Sequence, residues 1–194
     1  MHPIIVAFEQ TLQADFPLIL AIGREPNNEG LVENCLGLYD FRWSPRCAFW
    51  NTAYSVMART IGTNTYNLKQ QCVAQQGSPI ILADALPRCI PTHVGNKQEL
   101  RAAIPPETVL AHISNMFSYN EVMARVRLVL PAGLDGVAFA GARQAIIQQC
   151  TDHCLPYKEI PFLYPTNTPK IQQALSDSET AIIRNVFAHF RAAA

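Results

Sequence analysis

The chain has almost no net charge to act with. Its 15 Lys and Arg balance 15 Asp and Glu within 194 residues, and charged residues make up only 15% of it. A neutral chain casts no global field toward DNA, RNA or an anionic membrane, so any nucleic-acid surface has to be local. No segment reaches the roughly 18 uninterrupted apolar residues of a membrane span. The start, MHPIIVAFEQ, lacks the basic region and long apolar core of a secretion signal. The chain is therefore expected to be soluble, intracellular and cytoplasmic, with no membrane partner. Internal repeats, low-complexity tracts and linkers are also missing, which leaves a single domain over residues 1–194 as the expectation.

Several chemical signatures are absent as well. There is no Walker-type phosphate loop and no GxSxG, and His93, His112, His153 and His189 stand in no nucleophile or metal spacing. Hydrolase-triad and nucleotidase readings lose support. The cysteines Cys35, Cys47, Cys72, Cys89, Cys150 and Cys154 are scattered, without a CxxC pair, so reduced thiols are expected rather than a disulfide framework. Cys150, His153 and Cys154 gather three potential ligands with no second cluster to match. A helix end with buried thiols accounts for them better, and neither a metal nor a cofactor is expected.

What the chain does have is 49% hydrophobic residues, enough for a sizeable core. Apolar runs of strand length lie at 17–22 (PLILAI), 79–83 (PIILA), 136–140 (GVAFA) and 160–164 (IPFLY). Runs without alternation suit strands buried on both faces. Helical patterns fall between them, at 48–61, over a long stretch at 107–130, and at 142–150. Ser118 to Glu121 and Ser176 to Glu179 fit capping boxes, Thr168 before Pro169 fits an N-cap, and the last helix should run from about Asp177 toward His189. This rhythm predicts a three-layer αβα domain with a short, mainly parallel sheet.

In such a domain the loops at the strand C-termini form the ligand crevice. The predicted loops are 23–30, 84–91, 141–143 and 164–169. They offer Arg24, Glu25, Asn27 and Asn28, then Asp84 and Arg88, then Tyr164, Thr166 and Asn167 with nearby Lys170. Such a set can bond the edge of a planar heterocycle while a few cations hold phosphate. The plainer alternative is that these are good turn residues. On that view Glu25 caps the following turn, Asp84 caps a helix, and Tyr164 packs with its hydroxyl in water.

Three stretches in order, Ile22-Gly23-Arg24-Glu25-Pro26-Asn27, Pro45-Arg46-Cys47-Ala48-Phe49-Trp50 and Phe162-Leu163-Tyr164-Pro165-Thr166-Asn167, resemble the uracil-DNA glycosylase superfamily over roughly residues 17 to 175. The segment PRCAFW looks most like the mismatch-specific and hypoxanthine-type branches. The resemblance implies that Glu25, in the glycine–two residues–proline motif, activates or orients water. It implies that Phe41, or Tyr39 as second choice, stacks on an extruded base, and that Asp84 stands where the family keeps a base-edge reader that is often Asn. The last stretch occupies the place of a base- and phosphate-touching motif, but without its histidine. Glu25 is also one methylene longer than the usual Asp or Asn.

The chemistry that follows is hydrolysis of the N-glycosidic bond of a damaged or deaminated base in DNA, by a monomer. Glu25 would direct water and stabilise the cationic sugar, while Tyr164, Thr166 and Asn167 would stabilise the leaving base. Gly23, Arg24, Asn27, Phe41, Asp84 and Thr166 would hold the base and its strand. One alternative is a binding module on the same fold that has lost chemistry. Another is an unrelated α/β enzyme that clamps a small anionic metabolite with Arg24 and Arg88.

Overall fold

The run LILAIG forms strand β1 (Leu18–Gly23), buried at every position. Burial on both faces follows from its place in the sheet, because it is paired in parallel on both sides. The computed structural model describes residues 15–26, 38–39, 48–91 and 93–192, with only the backbone of 38–39. β1 pairs with β3 (Ile80–Asp84) on one side and with β4 (Val126–Pro131) on the other. The two-residue β2 (Leu38–Tyr39) runs antiparallel along β3, giving the order β2-β3-β1-β4. Parallel bridges from Val129 to Tyr157 and from Ala132 to Ile160 continue the sheet beyond β4.

Eight α-helices lie among the described residues: α1 (Ala48–Thr60), α2 (Thr65–Ala74), α3 (Lys97–Ala102), α4 (Pro106–Phe117), α5 (Asn120–Met123), α6 (Ala140–Asp152), α7 (Thr168–Ala174) and α8 (Asp177–Ala192). The path from β1 to β3 steps one way across the sheet, and the path from β3 to β4 steps back over β1. Right-handed crossovers in opposite directions put their helices on opposite faces. Accordingly α8 packs on β1 and β4 beside α1, whereas α6 packs on β4 and α4. The result is the expected three-layer αβα architecture with a mainly parallel sheet. One hydrophobic cluster runs through it, from Phe16 through Trp50, Tyr54 and Phe117 to Phe187 and Phe190.

α8 illustrates how local signals agree with packing. The Ser176 N–H donates to Glu179 Oε2 at 2.7 Å, the reciprocal half of the predicted capping box. Ile183, Val186, Phe187 and Phe190 are buried at the three- and four-residue spacing of one helix face. Burying each large side chain contributes about 2 kcal/mol.

Several expectations need correction. Residues 136–140 are not a strand: residues 137–139 form a short 3-10 turn leading into α6, and Val137 is 96% exposed. The third parallel strand is β4, which lies inside the predicted helix over 107–130. There Met123, Val126 and Leu130 continue helical spacing, which hid the break made by α5 and the turn at Ala124 and Arg125. Residues 160–164 contribute only the bridge at Ile160 rather than a strand. Ser118 ends α4, with its hydroxyl donating to the Asn115 carbonyl, and does not begin a capping box. The cap of α7 moves from Thr168 to Asn167, because the Thr168 hydroxyl donates backward to the Pro165 carbonyl. Residues 141–143 belong to α6, so the loop after β4 starts at Ala132 instead.

That loop depends on one glycine. Gly133 has φ +70°, a left-handed conformation that other residues adopt only under strain, and a Cβ there would lie 2.5 Å from Phe162 Cβ. Gly133→Ala is therefore expected to cost at least ~2 kcal/mol in chemical denaturation; an unchanged midpoint would mean the loop relaxes freely.

Candidate functional site

β1 is the strand at which the chain reverses direction across the sheet, so the loop after it opens onto the crevice of an α/β domain. The loop does not hang free. The Ala85 N–H donates to the Gly23 carbonyl at 2.9 Å, Leu86 to Arg24 at 2.8 Å, and Ile90 to Pro26 at 2.9 Å. Parallel pairing thus continues past the ends of β1 and β3. Gly23 and Asp84 are register partners, which sets two of the sequence-derived positions side by side. Gly23 also admits Phe49, since a Cβ there would lie 2.8 Å from its ring.

The charged residues of the loop have specific partners. Arg24 Nε donates to the Gly133 carbonyl at 2.8 Å, tying the β1 loop to the β4 loop. Its guanidinium lies over the rings of Phe162, at 4.8 Å, and Phe139, at 5.5 Å. Glu25 accepts from Arg101 through both oxygens, Nε to Oε2 at 3.0 Å and NH2 to Oε1 at 2.5 Å. The Arg101 and Glu25 side chains are only 8% and 10% exposed, so this is a buried bidentate pair. Arg101 lies over the Phe139 ring as well, at 4.9 Å. Arg24, Glu25, Arg101 and Phe139 therefore form one layered unit, of which Arg24 lines an open cleft.

Asp84 is anchored from α4. His112 Nε2 lies 2.8 Å from the Asp84 carbonyl, and because a carbonyl only accepts, the imidazole carries its proton on Nε2. Burial depresses the His112 pKa, with the bond to Asp84 acting in the opposite direction. Asn167 Nδ2 donates to the Phe162 carbonyl at 2.9 Å. Together with Arg24, Asn167 lines an open cleft of about 520 Å³ that also takes in Arg143, Glu159 and Lys170. Arg143 and Glu159 form an exposed ion pair that raises the guanidinium pKa and lowers that of the carboxylate.

Gly23, Arg24, Glu25 and Asp84 thus lie at the ends of β1 and β3, and Arg24 and Asn167 share the cleft, whose lining does not include Gly23, Glu25 or Asp84. Tyr164 is half-exposed and Thr166 is exposed, and neither lines the cleft. Asn27, Asn28 and Phe41 lie outside the described residues, as does the Tyr39 side chain. Cys150 is buried, which pushes its thiol up to about 12, while Cys154 is exposed. No family model matches the chain, and no curated protein matches it either.

Sequence reasoning missed Arg101 and Phe139. Arg101 sits in the helix KQELRA with nothing local to mark it; the only signal was an acid at position 25 that needed a cation once buried. Phe49 is half-buried against Gly23 and Phe162, with 5.5 Å between the Phe49 and Phe162 ring centroids.

Two measurements check this geometry. Arg101→Met strands a buried carboxylate and is expected to cost about 3 kcal/mol, with Glu25→Gln added to it restoring most of the loss. If both variants unfold alike, the pair is not the anchor. The His112 contribution to stability is present above the ordinary value of 6.5 and is lost as pH falls from there through the depressed value of the folded chain. Urea midpoints should therefore fall on acidification below pH 6.5, and less so for His112→Gln; equal slopes would count against a neutral buried imidazole.

Proposed function

We propose that the chain is a uracil-DNA glycosylase-like protein that receives a damaged or deaminated base in the crevice at the ends of β3, β1 and β4. It hydrolyses the N-glycosidic bond without a metal. One observation carries this reading: the motif-bearing segments around Gly23–Glu25, Asp84 and Phe162–Asn167, far apart in sequence, meet at adjacent parallel strand ends.

Glu25 is the water-directing acid. Arg101 occupies one lone pair on each oxygen and fixes the carboxylate plane, so the remaining lone pairs have set directions and no reorganisation is needed during the reaction. A fixed negative charge near the anomeric carbon stabilises the sugar cation as the bond breaks, and water activated by the acid completes the attack. Asp84 meets a donor on the edge of the base. Val137, exposed in the turn between β4 and α6, is an aliphatic group available to contact unstacked bases.

A second reading, a binding module without chemistry, is favoured by the same ion pair. With both oxygens bonded and a tenth of the side chain exposed, Glu25 serves there as a structural anchor. Incubation with duplexes carrying single deaminated or damaged bases separates the two. Hydrolysis leaves alkali-labile sites, and Glu25→Gln is expected to slow their formation by ~10²-fold or more. Tight lesion binding with no strand ever becoming alkali-labile would sink the catalytic reading and leave the binding module.

A further inference from the structure

We infer that the cleft beside Arg24 is a subsite for a phosphate monoester, carried by a nucleotide or by the phosphorylated end of a strand. The inference rests on the crevice being the ligand site, but not on glycosidic cleavage. Its first support is the state of Arg24. The Nε bond to the Gly133 carbonyl and the stacking over Phe162 and Phe139 hold the guanidinium in one place. Its terminal N–H groups remain without a carboxylate partner among the described residues. A pre-oriented fork of this kind suits a planar or tetrahedral oxyanion, because little side-chain entropy is left to lose on binding.

Lys170, on the first turns of α7, lines the same cleft and also has no carboxylate partner among the described residues. Asn167 lines the cleft with these cations, half-buried, with one amide N–H used by Phe162 and the other left to donate. Two cations with no carboxylate partner among the described residues and an amide donor match the two charges and several acceptor oxygens of a monoester dianion better than the single charge of a diester.

The remaining lining sharpens the choice. Arg143 is already neutralised by Glu159, and Asp135 stands exposed nearby, so these three residues together are net acidic. A continuous run of phosphodiesters filling the cleft would also meet those net-acidic residues, whereas a single phosphate needs only Arg24 and Lys170. A volume of about 520 Å³ is room for a nucleotide-sized group.

The test titrates the full chain with a nucleoside 5′-monophosphate, its nucleoside, inorganic phosphate, and matched 5′-phosphorylated and 5′-hydroxyl oligonucleotides. At least one phosphorylated form is expected to bind about tenfold or more tighter than its unphosphorylated partner. The mononucleotide and strand-end arms tell the two sources apart. Lys170→Ala and Arg24→Gln should each erase most of that preference, while Arg191→Ala, at the far end of α8, should leave it intact. Equal binding of phosphorylated and unphosphorylated forms, no binding of any phosphorylated form, or a preference untouched by both cleft variants would overturn the subsite. A chain that prefers phosphate yet leaves no alkali-labile sites refutes only the glycosylase reading; one that cuts lesion strands without a phosphate preference refutes only the subsite.

Discussion

The buried pair between Glu25 and Arg101 constrains everything around it. Two charges removed from water are tolerated only when each is fully paired, and here the bidentate geometry meets that requirement. The pair fixes the β1 loop to α3, and Phe139, covered by both Arg101 and Arg24, extends the connection to the segment that opens α6. Arg24 closes the circuit by bonding to Gly133. A loop that reads as an exposed turn is thus held from three sides, and the crevice inherits that rigidity.

This arrangement gives the acid two possible uses that share one geometry. A carboxylate whose direction is set by a neighbour suits a reaction in which positive charge develops on a sugar, since the stabilising group is already in place. The same bonds also make a structural strut. What separates the uses is whether a substrate can bring its anomeric carbon within reach of the remaining lone pairs, which depends on how far the strand-end cleft admits a base. The half-buried ring of Phe49, packed on Phe162 and made possible by Gly23, lies beside the end of β1.

Much of the architecture was legible in sequence where local and tertiary forces agree. LILAIG reads as a strand because a central parallel strand is buried on both faces, and the Ser176 to Glu179 box reads as a helix start because the side chains that bond there are adjacent in the chain. The reading failed where one pattern served two structures. Met123, Val126 and Leu130 extend a helical spacing although Val126 and Leu130 lie in β4, and the apolar residues 137–139 form a turn with Val137 outside the core. In the site, the loop residues were legible from their place after a strand, since parallel topology brings strand ends together. Arg101 and Phe139 were not, because a partner across 76 residues leaves no periodic or local mark.

We propose that ligand recognition belongs to the strand-end crevice braced by Arg24 and the Glu25–Arg101 pair. The most direct measurement is amide chemical-shift mapping of the isotope-labelled chain during titration with an oligonucleotide carrying a single deaminated base. The largest changes are expected at Gly23, Arg24, Ala85, Leu86, Gly133, Asp135 and Asn167, with little response at the opposite end of the strands, around Arg127, His153 and Ile182. Changes centred on that opposite end, where a separate apolar groove lies, would contradict it.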